Sequence, residues 1–471
     1  MAKLSVIGLD GVNWKILENA VELGLMPNLE SLMEESYTAE LETTYPPVTG
    51  PAWTSIMTGD NPGKHGIYDF VNHVEEGRPY NASDIKSQTV YEAIESYGGE
   101  TCLVNLPMSY PPRSKGKFVG SFLAPEDDFV RPESLEQVYD FSDYKKSISA
   151  LEKTFSVVDS ATETAEDKKK LLDFLLEDQE FFFLLFSAPD WVMHNKYHVM
   201  ENLEDENAFQ PFKTIDDAIG TVRARSDNII LLSDHGFKTY KNVFYVNQWL
   251  EEHGYLETEG SMEAAWVDNI FIDKVIEVAT SSKVLRKLTR KLYLSVESYV
   301  PLPDNVKVRL RGALSEGIDF ESSKAFCPSS DIEGVYVNDE RFENVVEDKG
   351  RLVRSLKQEL PDRLDPAKAS EVYSGEEMRE APDIVLRSDE YKISRGIFGS
   401  IESGAKLNHH GREGFFLAKG ENFSTGEGDI SLYDFAPTVA ELFGVNFEAD
   451  GEELNIVQER SELNEISGLD L

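Results

Sequence analysis

Four short apolar runs constrain the fold most: "KLSVIGLD" (3–10), "ETCLVNLP" (100–107), "EFFFLLFSAPD" (180–190) and "NIILLSDHG" (228–236). Runs of this kind read as buried strands of a parallel sheet. Between them lie helix-like stretches such as "MPNLESLMEES" and "AEDKKKLLDFLLEDQ". Strands alternating with helices predict an α/β fold, a mostly parallel central sheet flanked by helices on both faces.

The texture changes near residue 256. "SSKVLRKLTRKLYLSVESYVPLPDNVKVRLRG" is rich in lysine and arginine, with Leu285, Leu288 and Leu292 at helical spacing among Lys283, Arg286, Lys287, Arg290 and Lys291. An inserted basic helical cap is expected over 256–323. It would separate a first core segment (1–255) from a second (324–471), which resumes around "KAFCPSSDIEGVYVN" and ends in an acidic tail. Within the second segment, "SLYDFAPTVAELFGV" reads as a capped amphipathic helix. The basic segment 283–311 has two readings. It is either an amphipathic helix with solvated lysines, or a positive surface for an anionic substrate or peripheral lipid contact.

Charge narrows the partners. The chain carries 46 basic and 86 acidic residues, a formal net charge of -40. That excess repels phosphate backbones and argues against a nucleic-acid scaffold role. Self-repulsion on this scale is relieved at molar salt, where the Debye length is roughly 3 Å. A salt-rich, halophile-like cytoplasm is the simplest setting. Cys102 and Cys327 are too few for a disulfide framework or a cysteine-based zinc site. No apolar run reaches the length of a transmembrane helix. "MAKLSVIGLDG" reaches Asp10 before a signal-like segment forms, so a soluble cytoplasmic protein is expected.

In open α/β sheets ligands bind beyond the carboxyl ends of the strands. Three of the predicted strands end in an aspartate there: Asp10, Asp190 and Asp234. His194 follows Asp190 by four residues, which places both on one face of a helix, and His235 directly follows Asp234. Of only eight histidines, two more, His409 and His410, stand in the glycine-rich "KLNHHGREGFFLAKG". Carboxylate with imidazole suits zinc, manganese or iron. The segment "YPPVTGPAWTSIMTGD" (45–60) adds four hydroxyls: Thr49, Thr54, Ser55 and Thr58. Pro51 belongs in the first turn of a helix, with Thr49 or Gly50 as its N-cap. The same helix N-terminus would hold a phosphoryl group. A threonine hydroxyl becomes a nucleophile only when a base or metal activates it.

Taken in order, "GLDG", "TGPAWTSIMTGDNPGKHGI", "NLPMSYPP", "APDWVMH", "SDHGF", "FYVNQWLEEHGYL", "HHGREGFFLA" and "DFAPTVAELFGV" resemble the type I phosphodiesterase/nucleotide pyrophosphatase branch of the alkaline phosphatase superfamily. The resemblance implies that family's α/β sandwich and two divalent metal ions, zinc or alternatively manganese or iron. By position, one ion would take Asp10, Asp234, His235 and the Thr49 oxygen. The other would take Asp190, His194 and His410, with His409 as the alternative; His410 stands four residues before Gly414, as the family's late histidine does. Thr49 falls at the nucleophile position, implying hydrolysis of a small anionic phosphoester through a phospho-threonine intermediate. A phosphotransferase or phosphomutase on a sugar or lipid phosphate, and a non-catalytic metal-binding protein, are the alternatives. Nucleotide-cleaving relatives carry an asparagine shortly after "HGI"; here Phe70 stands near that place and Asn72 slightly beyond. Asn72, Asn105, Tyr110 and His409 are candidate substrate contacts, and Asn105 and Tyr110 read equally well as turn residues.

Overall fold

The computed structural model describes residues 2–261 and 316–458, apart from 76, 178, 399 and 405. The basic segment 283–311 and most of the expected cap lie outside the described residues, as does the end of the acidic tail.

The predicted strands lie side by side. β1 (Ala2–Leu9), β2 (Tyr37–Glu42), β3 (Thr101–Val104), β4 (Lys117–Val119), β5 (Val130–Arg131), β6 (Phe181–Phe186) and β7 (Ser226–Leu232) share one sheet with β10 (Glu413–Gly420) and β11 (Gly426–Ser431). The strand order is β11-β2-β10-β7-β1-β6-β3-β4-β5. β1 lies at the centre, parallel to β6 on one side and β7 on the other. β3 is parallel to both β6 and β4. β10 runs antiparallel to β7 and to β2. β4 and β5 are antiparallel as well, so the sheet is mixed toward both edges and parallel where the aspartates sit.

Its two faces are sorted by the period of two that a strand imposes. In β6, Phe182, Leu184 and Phe186 enter one apolar cluster, whereas Phe181, Phe183 and Leu185 enter the other. Each such side chain, once fully buried, contributes about 1.5–3 kcal/mol. The first cluster is covered by α2 (Val157–Leu175), α3 (Ala188–Glu201) and α4 (Gln210–Arg223); the second by α1 (Thr49–Thr58) and α5 (Phe435–Phe443). The molecule is thus a three-layer sandwich, as the alternation of elements predicts.

Gly8 fixes how closely α1 sits on the sheet. A Cβ at this position would fall 2.6 Å from the Trp53 ring. Trp53 therefore rests on bare strand backbone two residues before Asp10, and the start of its helix is drawn over the strand end.

The second core segment carries a sheet of its own before it rejoins the central one. Ala325–Phe326, Gly334–Val337, Pro366–Lys368 and Ile384–Leu386 form a separate four-stranded sheet with its own apolar cluster. The central sheet resumes only at β10. A two- to four-residue apolar strand reads the same whichever sheet it joins, so the sequence of 324–338 did not reveal this lobe.

Candidate metal centre

Adjacent parallel strands end at one level, and that levels the acids. Leu9 of β1 is paired with Phe186 of β6, and Gly8 with Leu232 of β7. Asp10 follows β1 directly, Asp234 lies two residues past β7, and Asp190 occupies the first turn of α3 beyond β6. Gly11 turns the chain with φ at 74° and donates its N–H to Asp234 Oδ1 at 3.1 Å.

His410 arrives from another direction. β8 (Gly236–Tyr240) pairs antiparallel with β9 (Leu407–Gly411), so that Phe237 opposes His410. The His410 ring stacks on His235 with centroids 4.0 Å apart. His410 Nδ1 donates to the Pro47 carbonyl at 2.9 Å, and His235 Nδ1 donates to the Gly236 carbonyl at 3.0 Å. Both bonds leave Nε2 as a lone-pair donor facing inward, the arrangement a metal-binding imidazole needs.

Two groups result: Asp10 with Asp234 and His235, and Asp190 with His194 and His410. In the first, His235 Nε2 is 3.4 Å from Asp234 Oδ2 and 3.8 Å from Asp10 Oδ1. In the second, Asp190 Oδ1 is 3.4 Å from both His194 Nε2 and His410 Nε2, and the two imidazole nitrogens are 3.2 Å apart. Thr49 Oγ1 faces the first group, donating to Asp10 Oδ1 at 3.4 Å with His235 Nε2 at 3.5 Å.

Electrostatics mark the cluster as built for cations. Burial, reinforced by Asp234 and Asp190, holds the Asp10 carboxyl well above the usual carboxylate range. Burial raises Asp234 as well. For Asp190 burial is the largest influence and acts upward, but His194, His410 and His235 together outweigh it and hold the carboxyl low. Burial also holds His409 and His410 well below the usual imidazole range. Asp190 Oδ1 and Asp234 Oδ2 are buried and make no hydrogen bond among the described residues. Buried anionic oxygens left without donors are costly unless a cation meets them. The donor set therefore fits two divalent ions.

The cap expected at Thr49 is not present. Val48 is the N-cap of α1, without a side-chain hydrogen bond, and Thr49 is the first helical residue. The helix thus starts earlier than the expected cap at Thr49 or Gly50, and the Thr49 hydroxyl faces Asp10. The other hydroxyls serve the scaffold. Thr54 and Thr58 each donate to the carbonyl four residues back at 2.8 Å, and Ser55 pairs with buried His65 at 2.8 Å.

The remaining candidates have protein partners of their own. Asn72 Oδ1 accepts from the amides of Val74 and Glu75, the pattern of a turn. Asn105, with φ at 62°, donates to Leu185 O and Ser187 Oγ and ties the ends of β3 and β6 together. Tyr110 donates to Asp128 at 2.6 Å. His409 stays beside the centre, with Nε2 3.8 Å from Asp331 of the small lobe. Nothing in the sequence marks Asp331, since no local pattern ties it to a histidine 78 positions later. The Pro47 carbonyl is equally unmarked, since backbone acceptors leave no side-chain signature.

Among the described residues no helix is long and apolar enough to cross a membrane. The family described as type I phosphodiesterase / nucleotide pyrophosphatase matches residues 4–390. Human ectonucleotide pyrophosphatase/phosphodiesterase family member 1 is 24% identical over 238 residues, which cover 48% of this chain and 23% of that protein. Murine ectonucleotide pyrophosphatase/phosphodiesterase 5 superposes with a TM-score of 0.53 at 13% identity, covering 96% of this chain and 97% of that one. The alkaline phosphatase PafA gives 0.53 at 15% identity, covering 97% and 99%. Phosphonoacetate hydrolase from Sinorhizobium meliloti 1021, bound to phosphonoacetate, gives 0.51 at 15% identity, covering 88% and 89%. At such identities the likeness is one of fold.

Proposed function

Because the chain belongs to the type I phosphodiesterase/nucleotide pyrophosphatase family of the alkaline phosphatase superfamily, we propose that it hydrolyses small anionic phosphoesters, with Thr49 as nucleophile. One observation carries this reading. Thr49 Oγ1 stands at the mouth of α1, within 3.5 Å of Asp10 and His235, above two groups of carboxylate and imidazole that are buried except for His194.

Asp10, Asp234 and His235 would hold one divalent ion, and Asp190, His194 and His410 the other. Zinc, manganese and iron all accept such a set, with zinc the first choice. When bound, such a pair neutralises phosphoryl charge and lowers the pKa of a hydroxyl nearby.

The chain's own groups do the rest. Ala52 is the first residue of α1 to bond back, to Val48, so the helix leaves the amides of Thr49 and Gly50 for an anion. Asp10 Oδ1 takes the hydrogen bond of the Thr49 hydroxyl and orients its lone pairs toward phosphorus. In-line attack by Thr49 Oγ1 expels the ester alcohol, which leaves with the hydroxyl proton, and puts the phosphoryl group on Thr49; water then releases it as phosphate from a monoester or as a phosphomonoester from a diester. The Pro47 and Gly236 carbonyls keep the His410 and His235 rings from turning.

The test is a panel of phosphomonoesters, phosphodiesters and nucleotide sugars. It is run with zinc, manganese and iron at high salt, the setting the charge of -40 favours. Turnover with a divalent ion, and phosphate found on Thr49 by mass spectrometry after acid quench, is the expected result. No turnover of any member with any of these metals would refute it. Product formed on an added alcohol instead of water would assign transfer rather than hydrolysis.

A further inference from the structure

Three residues stand one step behind the candidate ligands and have no part in the chemistry above. Asn13 follows Asp10 by three positions, Tyr197 follows His194 by three, and Phe237 follows His235 by two. Each lies on the segment that leaves a different strand end. Asn13 caps the helix Trp14–Glu22 after β1, Tyr197 lies within α3 after β6, and Phe237 lies in β8 after β7. They meet at one amide. Asn13 Nδ2 donates to the Phe237 carbonyl and to the Tyr197 hydroxyl, both at 3.0 Å, while Asn13 Oδ1 accepts from the Ile16 amide at 3.1 Å. The two hydrogens of an amide nitrogen allow both donations.

The buried Phe237 ring carries this join to the ligands. His194 meets it edge on with centroids 4.9 Å apart, His410 does so at 5.4 Å, and His235 lies tilted to it at 6.3 Å. Tyr197 packs on the same ring at 5.7 Å. A Cβ at Gly11 would meet the ring at 3.1 Å, so the residue after Asp10 rests on it as well. Carbonyl bonds hold the rings of His235 and His410 singly, whereas Phe237 is a surface common to imidazoles of both metal groups. Groups behind metal ligands govern affinity by fixing how the ligands point. We propose that Asn13, Tyr197 and Phe237 are positioning residues, a brace that holds the ligands of the two groups in register and sets the affinity for divalent ions. This role rests on the two-metal reading of the centre.

Zinc binding to chelator-treated protein, read by competition with a chromophoric chelator, tests the brace without any substrate. Asn13→Ser keeps an oxygen for the helix cap and loses the amide hydrogens. Tyr197→Phe keeps the ring and loses the hydroxyl. Each is expected to weaken zinc binding about 10- to 100-fold. Both break the same Asn13–Tyr197 bond, so the double variant should lose little more than the worse single one. Ser55→Ala, which strands buried His65 away from the brace, is the control for lost stability and should leave zinc affinity unchanged. With cobalt(II) at saturation, Phe237→Leu should alter the visible spectrum, which responds to ligand geometry. Zinc affinity within about threefold of wild type in both Asn13→Ser and Tyr197→Phe overturns the brace. So does an equal loss in Ser55→Ala, or losses that add in full. These variants decide the matter even if Phe237→Leu fails to fold. If wild type itself binds neither zinc nor cobalt, the two-metal reading falls, and the brace falls with it.

Discussion

Replacing Thr49 with alanine separates the reaction from the scaffold, because the residue does very different amounts of work in each. Its hydroxyl bonds, at 3.4 and 3.5 Å, are long for hydrogen bonds between oxygen and oxygen or nitrogen. A well-made hydrogen bond is worth about 1 kcal/mol net, so these two contribute less. Alanine at a helical position returns up to about 0.7 kcal/mol of propensity. The stability of Thr49→Ala should therefore stay within about 1 kcal/mol of wild type. The residue caps nothing, since Val48 is the N-cap. Loss of a nucleophile, by contrast, typically costs about 10⁴- to 10⁶-fold in kcat. At about 1.4 kcal/mol per decade that is at least ~5 kcal/mol of barrier, far above the stability effect. Turnover of a chromogenic diester, urea unfolding and metal stoichiometry by mass spectrometry are measured on the same preparation. The expected pattern is turnover abolished with midpoint and metal content retained. Activity within tenfold of wild type would refute the assignment of Thr49, and a joint loss of metal and stability would make it a structural residue. Thr49→Ser, which keeps the hydroxyl, should recover turnover.

Other consequences follow from the same contacts. Ser55→Ala strands the buried His65 Nε2 donor, so urea unfolding should show a loss of about 1–3 kcal/mol while kcat stays within twofold of wild type. Adding zinc or manganese to chelator-treated protein should raise the unfolding midpoint, because ions relieve the buried carboxylates; at about 1,000 times Kd the gain is ~4 kcal/mol, and Asp234→Asn should reduce it. Lys168 is buried in α2, and burial lowers its ammonium pKa to about 7. The folded chain thus binds fewer protons than the unfolded one above pH ~7, so this group adds stability as pH rises toward ~10.4 and loses it as pH falls back through about 7. Thermal unfolding near pH 7 and near pH 9 should differ more in wild type than in Lys168→Met, and equal differences would remove the lysine from the account.

Much of this protein can be read along the chain. The strands around Asp10, Asp190 and Asp234 are legible because a central parallel strand is apolar on both faces. The Asp190–His194 pair is legible because four residues make about one turn of a helix. Those are local properties, fixed by the period of the backbone. Other features are not local. That β6 and β7 flank β1, so that three acids meet, depends on strand order. That His410 rather than His409 points inward depends on the register of β9 against β8 and on the Pro47 carbonyl. The same is true of Asn13 beside Phe237 and of Asp331 beside His409: each pair is brought together only by packing between distant segments. Thr49 shows the boundary most sharply. The sequence places a hydroxyl at a helix start, where cap and nucleophile are compatible readings of one position. In the packed chain Trp53 lies close over Gly8, and the Thr49 hydroxyl faces Asp10. Sequence periodicity determines which faces are buried, but only the packed chain determines which strand ends meet.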